Sequence, residues 1–130
     1  MSLISRMRRQ NAIYWPPSTP DDYGKQSFGS LVELTLADGV NSRVRWEDRE
    51  EEFVDTTGTA AVSSSVVYCP VLPGGGEVEI GGFIWLGDRA DLTDESVPRN
   101  NAGAAEIRMV EKLPNLKASE FLRTAYLQAR

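Results

Sequence analysis

The sequence predicts an all-β, mainly antiparallel fold, a small barrel or sandwich of about six strands. Between Arg43 and Gly87 apolar and polar residues keep alternating. Val44 and Trp46 share one side of an extended segment, Arg43, Arg45 and Glu47 share the other, and Val78 and Ile80 alternate likewise with Glu77 and Glu79. These runs are short and end at turn-forming clusters such as Ala37-Asp38-Gly39 and Pro73-Gly74-Gly75-Gly76, and no long run keeps helical spacing. At 130 residues, with 41% hydrophobic and 25% charged residues, the chain has the size and balance of one ordinary domain.

The elements follow in order. Residues Met1 to Gln10 read as a flexible arm carrying Arg6, Arg8 and Arg9; Leu3, Ile4 and Met7 fit one helical turn that nothing extends, and the segment lacks the apolar core and cleavage site of a secretory signal. Asn11 to Trp15 is a first short strand, stopped by Pro16 and Pro17. A long loop, Pro16 to Ser30, follows, with Tyr23 and Phe28 as its bulky residues. Val32, Leu34 and Leu36 alternate with Glu33 and Thr35 to give a second strand, and Ala37-Asp38-Gly39 reverses the chain into a strand over Ser42 to Asp48. An exposed acidic excursion spans residues 48–59 before Ala61 to Pro70 returns, with Val62, Ser64, Val66 and Tyr68 on one face.

Val78 to Gly87 reads as two strands hinged at Gly81-Gly82. Phe83 to Leu86 leaves neither face polar, which places it between two packed layers and makes it the core candidate. Arg89 to Asn101 is polar and irregular, and Ala104 to Lys112 is a last clear strand with Ile107 and Met109 facing away from Glu106 and Arg108. In the final segment Ala118, Phe121, Leu122, Ala125 and Tyr126 fit helical spacing, while Phe121, Arg123, Ala125 and Leu127 fit a period of two. An extended C-terminal arm over residues 113–130 is the preferred reading, leaving a β-domain at 11–112.

Chemistry is constrained by what is missing. Without histidine there is no Ser-His or Cys-His pair and no imidazole metal ligand, so no cofactor, metal or catalytic site is expected. Cys69 has no partner for an internal disulfide and reads as a small buried hydrophobe. Asp88, Asp91, Asp94 and Glu95 offer hard oxygen ligands without calcium-loop spacing, and Gly74 to Gly76 lacks the Lys-Ser/Thr of a phosphate loop; a polar loop and a plain turn fit better. Trp15, Trp46 and Trp85, with Tyr68 and Phe83, would suit a base-stacking platform, but that would want a lysine or arginine beside each ring, the surrounding charge is acidic, and core positions are the simpler reading.

Charge points the same way. The chain carries a formal net charge of -5, the wrong sign for neutralising phosphates. Glu47, Asp48, Glu50, Glu51, Glu52 and Asp55 against the single Arg49 give residues 47–55 a charge of -5 by themselves. Such a run is a solvated hairpin tip, or a surface that repels DNA or meets a basic partner. Catalysis by a carboxylate pair there would need unequal burial and a substrate cleft, and an adjacent acidic run supplies neither.

Several pieces together resemble the head-closure, or stopper, family of head-tail connector proteins in long-tailed phages. They are the first strand Ala12-Ile13-Tyr14-Trp15, the unit Arg45-Trp46-Glu47-Asp48 with its acidic continuation from Glu50 to Phe53, the stretch Val78-Glu79-Ile80-Gly81-Gly82-Phe83-Ile84-Trp85-Leu86-Gly87, and Leu113-Pro114-Asn115-Leu116-Lys117-Ala118. The resemblance implies a β-barrel subunit of a six- or twelve-fold ring in the virion neck, made in the bacterial host cytoplasm. Its partners would be further copies of itself, the portal or adaptor protein on the head side and the tail terminator or tail tube protein on the tail side. It further implies that the loop bearing Asp48, Glu50, Glu51, Glu52, Phe53 and Asp55 faces the channel and helps retain packaged DNA, which passes without sequence-specific binding. Arg6, Arg8, Arg9, Phe121, Leu122 and Tyr126 become candidates for contacts to neighbouring subunits. A tail terminator or another neck protein is the nearest alternative, and a nucleic-acid-binding small β-barrel is the alternative from a different class.

Overall fold

Short strands separated by turns make up nearly all of the chain's regular structure, as the alternating pattern requires. The structure, a computed structural model, describes residues 9–17, 30–37, 40–54, 56–73, 75–114 and 121–129. Its strands are β1 (Ala12–Trp15), β2 (Val32–Leu34), β3 (Leu36–Ala37), β4 (Val40–Asn41), β5 (Arg45–Glu47), β6 (Glu52–Val54), β7 (Ala60–Val62), β8 (Ser65–Cys69), β9 (Phe83–Leu86), β10 (Ala105–Pro114) and β11 (Phe121–Ala129). Two single-turn 3-10 segments, Arg89–Asp91 and Pro98–Asn100, are the only helical pieces among the described residues, and neither is long enough to cross a membrane.

Seven strands form one antiparallel sheet in the order β2-β1-β9-β10-β11-β8-β5, and β3-β4 and β6-β7 form two separate hairpins. The two edge strands of the large sheet leave the same hairpin. β3 pairs with β4 through Ala37 and Val40, the expected Asp38-Gly39 turn itself lying outside the described residues, and Ser42 N–H adds a bond to Thr35 C=O at 3.0 Å. Beyond that point β2 and β5 separate. Gln10 bridges to Val44 there through reciprocal backbone bonds of 2.9 and 2.8 Å. The sheet therefore rolls without its ladder closing.

Burial shows the roll directly. Tyr14, Leu34, Val67, Ile84, Ile107 and Leu127 belong to a single buried cluster against which Trp46 packs, so one face of every strand in the sheet contributes to the same interior. The opposite face carries two smaller clusters. Ile13, Trp15, Phe83 and Ala104 form one with partly buried Leu31, Trp85 and Leu92, and Phe53, Val66 and Tyr126 form the other with Ala61 and Met109. β1 is buried on both faces, since Ala12 and Tyr14 point inward while Ile13 and Trp15 enter the outer layer. Next to it Gly82 is irreplaceable on steric grounds, because a Cβ there would lie 2.8 Å from both Trp15 O and Tyr14 Cε1.

Several sequence expectations change. Residues 121–129 are not part of an arm: β11 lies between β10 and β8, paired along its length with one and over five residues with the other, and Ala125, Tyr126 and Leu127 are all buried. Its period of two is the one realised, because a strand in that place takes ladder bonds from both sides. Ile107 and Met109 do not share a face. A β-bulge between them makes the alternation slip by one, so Ile107 joins the interior and Met109 the outer cluster with Phe53.

Val78 to Ile80 form no strand; Val78 is buried, Ile80 is 42% exposed, and a turn at Gly81 with positive φ leads into β9. Phe83 and Ile84 enter opposite layers as expected, but Leu86 is 39% exposed at the sheet's end. The return strand breaks at Ser63 and Ser64 into β7 and β8, so Ser64 and Val62 are exposed while Val66 is buried. Cys69 is buried at 3% exposure, in keeping with its reading as a small hydrophobe.

Candidate functional site

The acidic segment is built in two tiers. Its inner tier is held against the sheet. Asp48 Oδ1 accepts from Trp46 Nε1 at 2.9 Å and from Ser65 Oγ at 2.8 Å, and these two donors, Ser65 first, hold the carboxyl below the usual aspartate range. Arg49 lies among the acids, 3.5 Å from Glu47 Oε2 and 3.0 Å from Glu51 Oε2, and donates to Tyr68 Oη at 3.0 Å. The Glu51 contact is a charge pair rather than an aligned hydrogen bond. Glu51 N–H donates to the buried Ser63 Oγ at 3.1 Å, and Ser63 N–H returns a bond to Glu51 C=O at 2.9 Å.

Phe53 is the anchor of the hairpin. It is 5% exposed and stacks on Tyr126 with ring centroids 5.4 Å apart and planes 18° from parallel. Tyr126 in turn donates its hydroxyl to Glu111 Oε2 at 2.9 Å, and desolvation together with that carboxylate pushes its pKa up to about 12. The outer tier is different. Glu50, Glu52, Val54 and residues 56–60 are exposed, with Val54 at 57% and Val62 at 53%, so the β6-β7 hairpin rests on one apolar face and shows solvent a mixed acidic and aliphatic one.

The channel-loop candidates thus divide. Asp48 and Phe53 serve the hairpin's attachment, Glu51 is half-buried beside Arg49, Glu50 and Glu52 project, and Asp55 lies outside the described residues. Among the assembly candidates Arg6 and Arg8 lie outside the described residues and Arg9 is exposed. Tyr126 is only 6% exposed and is corrected from a surface contact to a core residue, because the Phe53 hairpin covers it. Phe121 and Leu122 pair through their backbones with Pro114 and Leu113. Gln10 belongs to the fold rather than to an arm, through Val44 and through its side chain, which accepts from Trp46 N–H at 2.6 Å.

A second feature has no counterpart in the sequence reading. At the end of the rolled sheet where β5, β8, β9 and β10 meet, Trp46, Asp48, Ser64, Ser65, Trp85, Leu86, Ala102, Gly103 and Ala105 line an open cleft of about 420 Å³. Both indole N–H groups are already used, Trp46 on Asp48 and Trp85 on Ala102 C=O at 2.9 Å. The cleft is therefore ring surface, small apolar side chains and two serines whose hydroxyls are already donated to Leu127 C=O and Asp48, beside one carboxylate. The sequence signal was present in the three tryptophans, but of these only Trp15 is fully buried; Trp46 and Trp85 are partly buried at the end of the sheet.

The polar segment after β9 forms a knitted cover over the outer aromatic layer. Asn101, 3% exposed, accepts at Oδ1 from Thr93 N–H and Asp94 N–H, both at 2.9 Å, and donates from Nδ2 to Asp94 C=O at 2.8 Å. Asp94 accepts from Asn100 Nδ2 and from Ser96 and Val97 N–H, which lowers its pKa. Trp15 Nε1 donates to Glu95 C=O at 2.9 Å, and the Arg99 guanidinium sits 5.2 Å above the Phe83 ring. Asp94 is spent on loop structure and Glu95 pairs with Arg89, and among the described residues no group of three or more potential ligands converges on a metal position. Comparison with known proteins returned no match, whether with family models, curated proteins or solved structures.

Proposed function

We propose that this chain is a structural connector of the head-closure type in a long-tailed phage, a subunit of a ring between portal or adaptor and tail. Its work on this reading is mechanical. The observation that carries it is the acidic hairpin: a two-stranded projection anchored through Phe53 on Tyr126, whose exposed residues include Glu50 and Glu52. A projection of that kind facing a channel would confine DNA by repelling its phosphates without gripping them, so the genome could later pass. The resemblance of Arg45-Trp46-Glu47-Asp48 and its acidic continuation to the stopper family supports the same placement.

Electron microscopy of the protein mixed with tail-less heads and with free tails tests this. The expected image is a ring at the neck beneath the portal, with density from residues 48–59 in the channel. A ring that caps only the tail tube would transfer the chain to the tail-terminator reading. Binding to neither particle would remove the connector reading altogether.

A further inference from the structure

The cleft at the Asp48 end of the sheet matches a segment of the chain's own sequence. Its indoles have satisfied N–H groups and offer a ligand apolar ring surface; Asp48 is the one charged residue lining it. Both hydrogen bonds to that carboxylate converge on Oδ1, and among the described residues none reaches Oδ2. Aromatic surface beside a single carboxylate suits a cation carried on an apolar stem, above all a guanidinium.

Residues 1–8 supply that chemistry, with Arg6 and Arg8, no acidic residue, and Leu3, Ile4 and Met7 interleaved. Their charge of +2 faces the -5 of residues 47–55, which border the cleft through Asp48. A cyclic ring also needs two different complementary surfaces on each subunit, so that every copy offers one to its neighbour and receives the other. A basic segment and an acidic aromatic cleft are such a pair.

We propose that residues 1–8 of one copy dock in the Trp46–Trp85–Asp48 cleft of the next, with an arginine guanidinium against Asp48, forming a head-to-tail junction between subunits. The proposal rests on the ring reading above, yet the two fail separately: sedimentation detects the junction without any virion, and a neck ring could form through other surfaces.

Analytical ultracentrifugation of the full chain tests it with two variants. Asp48→Asn removes the charge while keeping an Oδ1 that can accept from Trp46 and Ser65, so the cleft stays intact, and circular dichroism checks that the fold is kept. Arg6→Glu/Arg8→Glu reverses the segment. The wild-type chain should associate with rising concentration and less so with rising salt, and each variant alone should associate about tenfold more weakly or worse. An equimolar mixture should form a dimer and nothing larger, because it contains one good segment and one good cleft per pair. A wild-type chain monomeric at all concentrations, as docking of the segment within its own subunit would give, overturns the proposal. Variants that associate like wild type, or a mixture that stays monomeric, overturn it as well.

Discussion

The two polar excursions on the outer face of the sheet look alike in composition and differ in construction. In residues 88–104 two side chains, Asn101 and Asp94, turn onto the segment's own backbone: Asn101 bonds Thr93, Asp94, Val97 and Pro98, Asp94 bonds Ser96 and Val97, and the segment covers Trp15 and Phe83. Residues 48–63 are held mainly from below, by Asp48, Ser63 and the Phe53–Tyr126 stack, and leave Glu50 and Glu52 exposed. A charged, glycine-bearing stretch is thus structural or projecting according to where its acceptors aim. The first excursion is part of the fold and the second is presented by it.

The largest effect that separates them is expected at Asn101. Replacing it with leucine removes both acceptor and donor from a site 3% exposed, stranding Thr93 and Asp94 N–H groups and several carbonyls. Unmet buried groups of this kind cost about 3 kcal/mol in sum, read as a loss in global denaturant stability. Asn101→Asp, which keeps the acceptor, should recover part of that loss. If the leucine variant is as stable as wild type, the cover is dispensable and the contrast collapses.

Phe53→Ala comes next. Truncating the buried ring removes its stack on Tyr126 and its share of the outer cluster, about 2 kcal/mol, below the range for a deep core phenylalanine because a hairpin can lift away rather than leave a cavity. The effect should be local. Amide exchange ought to quicken across residues 51–63 while β1, β9 and β10 keep their protection. Uniform acceleration would mean that the hairpin is integral to the core.

The sequence made the fold class readable through particular residues. Val44 and Trp46 do face the interior away from Arg45 and Glu47, and the strands on either side of residues 38–39 do pair. What stayed hidden has a physical cause in each case. A bulge at Arg108 leaves no composition mark, so Ile107 and Met109 looked like neighbours on one face. The spacing from Ala118 to Leu127 satisfies both periods, and only the ladders on both sides of β11 decide between them. Asn101 resembles any loop asparagine until its five side-chain hydrogen bonds to four residues are seen. Phe53, a lone aromatic ring inside a run of charges, is the residue in the sequence that marks the hairpin's anchor.

Asp48 gives a smaller, pH-dependent effect on the attachment of the acidic segment. Its folded pKa lies below the ordinary value, so the stability it confers is present above the usual aspartate range and is lost as pH falls below that range through the folded pKa. Asp48→Asn should therefore be less stable than wild type at pH 7, with the gap narrowing at pH 3. Denaturant midpoints at the two pH values measure it, and a gap that widens in acid would mean the carboxylate is not held ionised by Ser65 and Trp46.

The smallest stability change belongs to the exposed tier, where function should respond instead. Glu50 and Glu52 are both exposed, and a Glu50→Lys/Glu52→Lys pair should shift stability by no more than about 0.5 kcal/mol. The same exchange alters the charge of residues 47–55 from -5 to -1, since each replacement adds two positive units. Repulsion of phosphates should fall with it, so salt-sensitive retention on immobilised duplex DNA should rise above that of wild type. If retention stays unchanged while the fold is intact, the exposed carboxylates do not set how this surface meets DNA, and the hairpin's acidity would have to serve a protein partner.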